Sequence, residues 1–506
     1  MKTVKNRILS SLFLVFLVGS ITSCDDGFGE LNTDPASSDN LSPGYLIGYI
    51  WTGPAGDRFT TWRSNFIICA SWCQQFSSGF GYGNYSTTRE DYTEAYMDRL
   101  MPNYMAEAAD VIQKNPGTAV AGMAIMFKVH FMLRLTDMHG MVPYTQAFQP
   151  ATITQPEYDE ISDIYDAFVV DLKEARELFQ GGEGENPGAL DPIYGGDLLK
   201  WEKFANSLLL RIGLRLSEVD PARSESIVAE AIAAGVFESN DEMAYISHSG
   251  AQTDGINAGG IGEVFQDFGM TGHLFRYSDV FVDFIADNND PRETTLMATY
   301  DIDENGAEIL TNAGPGGHKG MVAGTYGRDG SVFDFAQPRR DVMVTYDSPE
   351  MIMTFAEVEF NRAEAILRGW VSGDAASAYE SGVRAAMKML TLYPNAEEIP
   401  DDAIDTYLQQ SSVAYSDAQG LRLINTQKWV ALLFDGYEAY SNYRRLDIPE
   451  LVPVEEGFRG SESDGTIPKR VRYPQSELNA NAVNYNKAIE IQGPDEINTR
   501  LWWDVE

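Results

Sequence analysis

The sequence predicts a mainly α-helical protein built from consecutive helix pairs, and two observations support this fold class. Apolar residues recur every three or four positions over several stretches, as in Val120, Met123 and Phe127, which is the spacing of the buried face of a helix. These stretches come in pairs joined by links such as Pro116-Gly117, and Pro and Gly interrupt helices. Because a 506-residue chain exceeds the usual size of one hydrophobic core, we expect several packed layers.

The predicted helices form three pairs followed by one further long helix. The pairs span residues 94–114 and 118–138, 158–179 and 198–217, and 349–368 and 375–390, and the last helix spans residues 416–442. In the third pair, Pro349 suits a first helical turn and Gly369 suits the position after a helix end. Helix pairs that recur about every 34 residues are typical of tetratricopeptide-like solenoids.

Two long segments between the predicted helices, residues 43–93 and 245–346, are predicted to be irregular ligand loops. Loops of this length in a compact protein usually carry function, and aromatic content argues against disorder. In the first segment glycines alternate with aromatic side chains, which can stack on sugar rings or grip an extended peptide. The alternative is that these aromatic residues cap the solenoid or pack on a partner protein. The candidate ligand-binding residues are Gln75, Phe80, Tyr82 and Tyr85.

The segment that begins at Asp301 has two interpretations. Asp301, Asp303 and Asn305 match the first places of a calcium-binding loop, but the twelfth place holds Asn312 instead of a bidentate glutamate. Short runs of strand-forming residues on either side of Asn305-Gly306 predict a β-hairpin instead. We predict the hairpin, one of a few short hairpins in the fold, and calcium binding stays open at this point.

Composition excludes some classes of partner. The net charge is −38, from 37 basic and 75 acidic side chains, which argues against nucleic acid, whose phosphates require basic side chains, and against docking on anionic lipid. Besides Cys24, the chain contains Cys69 and Cys73. Their spacing of four places both on one helix face, so we expect buried free thiols and no disulfide.

Apart from the partial calcium loop at Asp301, no catalytic or metal-binding motif is present in the sequence. The five histidines are scattered, and no H-E-x-x-H, G-x-S-x-G, P-loop or C-x-x-C pattern occurs. His130 and His139 lie near the predicted core helix and are expected to be structural. Two carboxylates that meet in space could hydrolyse a glycosidic bond, but nothing in the linear order selects such a pair. We therefore predict no enzyme, no metal site and no cofactor.

The N-terminus has the features of a bacterial lipoprotein signal. Lys2, Lys5 and Arg7 precede an apolar run over residues 8–18, and small residues then lead to Cys24. The apolar run is shorter than the 20 residues or so that span a membrane, which favours a signal peptide over a retained anchor. The alternative is an ordinary secreted protein in which this cysteine is incidental.

Cleavage before Cys24 divides the chain into three parts. Residues 1–23 are the predicted signal peptide, residues 24–42 form a lipidated polar tether, and residues 43–506 form a single helical domain. Cys24 would carry the acyl chains, palmitate among them. One acyl chain gives only marginal membrane binding, whereas two or more acyl chains anchor a protein stably.

Several sequence blocks, in the same order along nearly the whole chain, resemble the SusD/RagB-like nutrient-binding lipoproteins of Gram-negative outer membranes, in their SusD-like branch. The blocks are residues 31–35 (LNTDP), 209–221 (LLRIGLRLSEVDP), 357–365 (EVEFNRAEA), 425–431 (NTQKWVA), 436–445 (GYEAYSNYRR) and 499–504 (TRLWWD).

The resemblance implies a SusD-like fold of tetratricopeptide-like helix pairs and a surface-exposed, lipid-anchored position in the outer membrane. It also implies a partner, a SusC-like TonB-dependent transporter, over which the protein would act as a lid that captures oligosaccharide or peptide. The acidic Asp25-Asp26 resembles the surface-export signal of such lipoproteins; a periplasm-facing anchor is the alternative. The competing functions are a surface glycan- or peptide-degrading enzyme and a protein-binding scaffold without a small ligand.

The family's signature residues are expected to be structural. We predict that they form a buried network of arginines and carboxylates with Glu357 or Glu364, because such paired hydrogen bonds are strong and specific. Direct ligand binding by these residues is the less favoured alternative. The residues are Gln427, Lys428, Trp429, Arg444 and Arg445.

Overall fold

The computed structural model describes residues 41–78, 85, 90–147, 153–250, 259–266, 275–304, 308–325, 331–460 and 463–505. Within it, Pro43–Glu506 is one compact unit. Helices dominate this unit and the strands are short, which confirms the predicted mainly α-helical class.

Fifteen of the described helices are numbered here in chain order. They are α1 Pro43–Gly56, α2 Ala106–Lys114, α3 Ala119–His139, α4 Ile161–Gly181, α5 Leu198–Arg215, α6 Pro221–Ala234, α7 Gly260–Gln266, α8 Asp279–Asp287, α9 Phe355–Leu367, α10 Ala375–Lys388, α11 Asp401–Leu408, α12 Gly420–Ala431, α13 Gly436–Leu446, α14 Gln475–Ala480 and α15 Ala482–Gln492. Shorter α-helical turns are Arg58–Thr60, Glu90–Thr93 and Glu293–Leu296, and 3₁₀ turns are Gly188–Leu190, Asn240–Glu242, Val332–Asp334, Met389–Leu392 and Asp417–Gln419. The π-helical segments are Thr61–Ala70 and Ala95–Met105.

The predicted helix pairs are present and pack as consecutive layers. Helix α3 contacts α4, α4 contacts α5, and α9 contacts both α10 and α12. Side-chain caps fix where these helices begin: Thr118 accepts a hydrogen bond from the amide of Ala121, and Asp197 accepts from the first amides of α5. The structure adds α6, which packs on α5 and was not among the predicted helices.

Two predicted helices have different boundaries in the structure. The helix predicted from Pro349 begins only at Phe355, because Glu350–Met353 forms a strand and Thr354 caps the helix through its hydroxyl. The helix predicted over residues 416–442 is two helices, α12 and α13. Between them Phe434 adopts a φ of 77°, and the Asp435 carboxylate caps α13, so the chain turns instead of continuing.

The segment 43–93 is largely helical, which corrects the prediction that it is irregular throughout. Helix α1 and the π-helical segment Thr61–Ala70 occupy its first half, and several of its aromatic side chains enter the core. The Trp51 ring lies 5.3 Å from that of Phe127 and 5.6 Å from that of Trp201. Aromatic content therefore reflects packing here.

Cys69 and Cys73 are free and fully buried, as predicted. Burial raises the pKa of Cys73 to about 12 and raises the pKa of Cys69 even further. Both thiols therefore stay protonated and act as small apolar side chains.

The strands form small antiparallel sheets. Strand β1 (Phe76–Ser78) pairs with β3 (Phe275–Tyr277), and β2 (Ala244–Ile246) pairs with β7 (Glu350–Met353). A third sheet has the order β5-β4-β6, from β4 Met297–Ile302, β5 Glu308–Asn312 and β6 Gln337–Pro338.

The predicted hairpin after Asp301 is confirmed, because β4 and β5 pair with Ile302 opposite Glu308. Its turn, which includes Asn305, lies outside the described residues. Calcium binding by Asp301, Asp303 and Asn305 therefore stays an open question.

Helix α3 is long and apolar enough to cross a membrane by length and composition, but 89% of its most apolar window is buried inside the protein. It is the central core helix. Burial lowers the pKa of His139 to about 3 and lowers the pKa of His130 well below its ordinary value. Both imidazoles are therefore neutral at physiological pH.

Candidate functional site

Two of the four predicted ligand-binding residues are packed into the interior. The Gln75 side chain is fully buried and its Nε2 donates to the carbonyl oxygen of Trp429 at 2.7 Å. The Tyr85 ring is also fully buried, and its hydroxyl accepts a hydrogen bond from Gln74 Nε2 at 2.6 Å. Phe80 and Tyr82 lie outside the described residues. The contacts of Gln75 and Tyr85 favour a structural role, and ligand contact through this segment stays a prediction.

The two predicted ligand-loop segments meet in one small sheet. Strand β1 comes from the first segment and β3 from the second, and they pair with Ser78 opposite Phe275. The hydroxyl of Ser278 donates to the carbonyl oxygen of Gln74, which ties the same segments together. The pair Ser78–Phe275 is called the β1–β3 edge below. Residues 79–84, with Phe80 and Tyr82, continue the chain from this edge.

Buried hydrogen bonds hold the β1–β3 edge. Arg276 is fully buried; its Nε donates to the carbonyl oxygen of Val332, and its Nη1 donates to that of Phe275, each at 2.7 Å. The guanidinium lies 6.0 Å from the Phe333 ring. These contacts fix the backbone of the β1–β3 edge.

An open groove of about 530 Å³ lies elsewhere on the molecule. It is called the acidic groove below, and its walls are mostly apolar. It brings together the π-helical segment Ala95–Met105, residues 146–147 and 153–156, and α14. Its lining residues are Met97, Asp98, Met101, Pro102, Ala106, Gln146, Ala147, Ile153, Pro156 and Glu477.

Two carboxyl groups give the acidic groove its polar character. Burial raises the pKa of Asp98. Burial also raises the pKa of Glu477, and the nearby Asp98 adds to this effect. The Tyr158 hydroxyl donates a hydrogen bond to Glu477 and orients its carboxyl group. The groove therefore offers oriented carboxyls beside apolar walls, a combination that suits the hydroxyls and C–H faces of a sugar.

Sequence reasoning did not find the acidic groove because its residues are far apart in the chain. Long-range hydrogen bonds assemble it: Asn481 Nδ2 donates to the carbonyl oxygen of Pro156 at 2.8 Å, and the amide of Glu157 donates to Gln146 Oε1 at 3.0 Å. No spacing in the linear sequence marks such a set.

The predicted arginine–carboxylate network is present in the core. Arg445 donates to both oxygens of Glu364, at 2.5 and 2.8 Å. Burial alone would raise the pKa of Glu364, but the Arg445 guanidinium overcomes it and holds the pKa far below its usual value. Glu357 is paired with Arg211 of α5, at 2.7 and 2.5 Å, a partner that sequence reasoning did not identify.

The remaining signature residues also contact protein groups. Gln427 Nε2 donates to the Tyr407 hydroxyl at 2.6 Å, and Trp429 Nε1 donates to the carbonyl oxygen of Cys73 at 2.9 Å. Lys428 is buried, which lowers its pKa to about 8. Lys428 Nζ donates to the side-chain oxygens of Asn361 and Asn442 at 2.9 and 3.0 Å, and the Arg444 guanidinium lies 3.8 Å from the Tyr440 ring centroid. These contacts support the structural interpretation of the signature.

Comparison with known proteins identifies the family. Residues 60–474 match a SusD-like family model described as "Starch-binding associating with outer membrane", which is most of the chain. The chain belongs to this SusD-like family. Proteins of this family associate with the outer membrane, and no match was found among curated proteins.

Solved structures of SusD-like and chitin-binding proteins share the fold. A chitin-binding protein is 30% identical, with a TM-score of 0.80, over 92% of this chain and 100% of the other. A Bacteroidetes SusD-like protein, AC2a, is 26% identical with a TM-score of 0.82, and the match again covers 92% of this chain and 100% of the other. A chitin-binding SusD homologue from Flavobacterium johnsoniae is 22% identical with a TM-score of 0.75, over 92% and 98%; at this identity the likeness shows the fold alone.

Proposed function

We propose that this SusD-like protein is a surface-exposed, lipid-anchored nutrient-binding protein that captures an oligosaccharide and delivers it to a SusC-like TonB-dependent transporter. The observation that carries the proposal is the likeness, at 30% identity over 92% of the chain, to a chitin-binding protein. It favours a glycan over a peptide, the two ligand classes that the sequence left open.

The acidic groove is the candidate contact surface for the glycan. The side chains of Met101 and Pro102 offer apolar surface to the C–H faces of sugar rings or to an acetamido methyl group. The carboxyl groups of Asp98 and Glu477 can accept hydrogen bonds from hydroxyl or amide groups. We therefore assign β-linked N-acetylhexosamine oligomers as the preferred ligand class, with binding and no bond cleavage.

The lipid on Cys24 would keep the protein beside its transporter. The tether of residues 24–42 reaches about 60 Å when fully extended, which leaves the domain free to open and close over a barrel. The transporter would supply the energy for import, and the role of this chain would be capture.

Binding of defined glycans tests the proposal. We expect the chain from residue 25 onward to bind chitin oligosaccharides in isothermal titration calorimetry, and to bind starch oligosaccharides and a peptide pool at least tenfold more weakly, about 1.4 kcal/mol. No binding to any glycan would contradict the proposal. Shortening of a labelled oligomer that stops with Asp98→Asn would support hydrolysis instead.

Single variants separate the two candidate contact surfaces. If the acidic groove binds the glycan, Asp98→Asn and Met101→Ala weaken binding about tenfold, whereas Tyr82→Ala in the predicted loop does not. The reverse result would assign the site to the predicted loop. The matched control is Asp405→Asn, since Asp405 is 52% exposed and lies outside the groove. Tyr85→Ala is unsuitable for this purpose because the ring is fully buried and its loss would destabilise the fold.

Purification of the intact protein from outer membranes tests the partner. We expect a TonB-dependent barrel to co-purify in equal amount with a tagged chain. Isolation of the tagged chain without such a barrel would contradict the proposed delivery role, while leaving glycan capture to be judged by calorimetry.

A further inference from the structure

A small cavity of about 40 Å³ lies where α1, α3 and β7 meet. Polar side chains from all three elements line it. Trp51 comes from α1, His130 and Arg134 come from α3, and Glu350 comes from β7; Thr60 adds a hydroxyl from the short turn after α1. Trp51, Thr60 and His130 are each at least 94% buried.

Each of these five side chains carries a buried atom with no hydrogen-bond partner among the residues that the structure describes. The atoms are Trp51 Nε1, Thr60 Oγ1, His130 Nδ1, Arg134 Nε and Glu350 Oε2. A buried polar atom without a partner destabilises the folded protein, and such atoms are rare in folded proteins. Five of them around one cavity indicate a common ligand.

The volume and the chemistry of the cavity restrict that ligand. About 40 Å³ is far below the 300 Å³ or so of a small-molecule site, and it holds about three water molecules at most. The ligand must accept hydrogen bonds from Trp51 and Arg134 and donate one to Glu350. Water does both, whereas a simple ion does only one.

Charge also argues against an ion. Arg134 Nη2 is already 3.2 Å from Asp435 Oδ1, so its charge is compensated. Burial raises the pKa of Glu350 to about 8, so its carboxyl group is neutral and the cavity lining has no uncompensated charge for an anion to balance. A cation would meet the N–H groups of Trp51 and Arg134. A neutral ligand fits this arrangement.

We propose that the cavity binds a small cluster of ordered water molecules that hydrogen-bond to these five groups and join α1, α3 and β7. Strand β7 (Glu350–Met353) follows the second loop segment, residues 245–346. The water cluster therefore fixes the end of that segment to the central core helix. This inference is independent of the ligand proposed above.

A crystal structure at a resolution that shows ordered water tests the proposal, together with a bromide-soaked crystal. We expect discrete peaks within hydrogen-bond distance of Trp51 Nε1, Arg134 Nε and Glu350 Oε2, without an anomalous bromide peak. A cavity without density, or an anomalous peak in it, would overturn the proposal.

A variant that fills the cavity gives a second test in solution. Ala55 lines the cavity. The larger side chain of Ala55→Val should displace the water molecules and leave the polar groups without hydrogen-bond partners. We expect a lower Tm and fewer long-lived water molecules by ¹⁷O magnetic relaxation dispersion than for Ala222→Val, an exposed helical control. An unchanged number of long-lived waters with a higher Tm would show an empty cavity and overturn the inference.

Discussion

Several charged side chains in the interior of this protein are held in geometrically matched pairs. Arg445 and Glu364 are each 1% exposed, and Arg211 and Glu357 are 3% and 0% exposed. Removing both charges from water costs free energy, so such a pair contributes to stability only while both partners are present. They fix which helices lie together, because Glu364 and Glu357 belong to α9 while their partners come from α13 and α5.

Loss of one partner should be severe. We expect Arg445→Met to lower the free energy of unfolding by about 3 kcal/mol, since it removes the buried guanidinium that bonds both oxygens of Glu364 and leaves only the more exposed Arg368 as counter-ion. Arg384→Met is the matched control, because Arg384 and Asp405 are 38% and 52% exposed and such pairs contribute about 1 kcal/mol or less. Chemical denaturation measures both. Equal losses would show that the buried pair is no more important than the surface pair.

Glu350 should make stability depend on pH. Burial raises its pKa to about 8, against the lowering effect of Arg134, while Asp435 raises it further. The folded protein therefore keeps a proton that the unfolded chain releases. The resulting stability is fully present below about pH 4.5, and it is lost as the pH rises through about 8.

The variant Glu350→Gln isolates this effect. It stays neutral at every pH, so we expect the Tm of the natural protein to fall relative to that of Glu350→Gln between pH 5 and pH 9. Both proteins contain the neighbouring titratable groups, so the effect of these groups on Tm is the same in both and drops out of the comparison. These groups are Arg134, Asp435, His130 and Tyr437. Parallel Tm curves across this range would contradict the assignment.

Helices in this protein approach one another closely where glycine replaces a side chain. At the start of α13, an added Cβ on Gly436 would lie 2.5 Å from Asn65 Oδ1 and 2.7 Å from the amide nitrogen of Ala70. Helix α13 thereby rests directly on the π-helical segment Thr61–Ala70. This contact joins two elements about 370 residues apart, as the 2.8 Å hydrogen bond from the Gly436 amide to Asn65 confirms.

We expect Gly436→Ala to destabilise the protein by about 1–3 kcal/mol, because the added methyl forces packed backbone apart. Gly181→Ala is the control: no atom lies within 4 Å of its added Cβ at the end of α4, and alanine there should be neutral or stabilising by up to about 1 kcal/mol. Thermal unfolding of both variants measures the difference. A Gly436→Ala protein as stable as the control would show that the contact adapts without cost.

Element boundaries were predictable where local signals are strong. The start of α3 follows from the Thr118 cap and its end from Gly140, and both appear in the sequence. The division of residues 416–442 into α12 and α13 was missed, although Asp435 is a helix-start signal in the sequence. The turn before it depends on Phe434 at a φ of 77° packing against Phe66 and Phe76. A positive φ at a residue other than glycine cannot be recognised from the neighbouring sequence.

At the scale of the whole molecule, we propose that lipid on Cys24 decides where the protein works. We expect Cys24→Ser to remove the protein from the outer-membrane fraction while the fold of Pro43–Glu506 is unchanged, since no acyl chain can then be attached. Membrane fractionation and circular dichroism measure the two effects. Ser38→Ala, in the same tether, is the control and should remain in the membrane. Retention of Cys24→Ser in the outer membrane would refute lipid anchoring at this residue.

The sequence by itself determined the helical class, the order of the helix pairs, the family and the expectation that signature arginines pair with Glu357 or Glu364, because periodicity and sequence blocks are local properties of the chain. The tertiary structure decided which aromatic residues are core and which carboxyls meet. Tyr85 is fully buried, and Asp98 and Glu477 share one groove although they are far apart in the chain. Burial and long-range proximity depend on how the elements pack, and no local pattern records them.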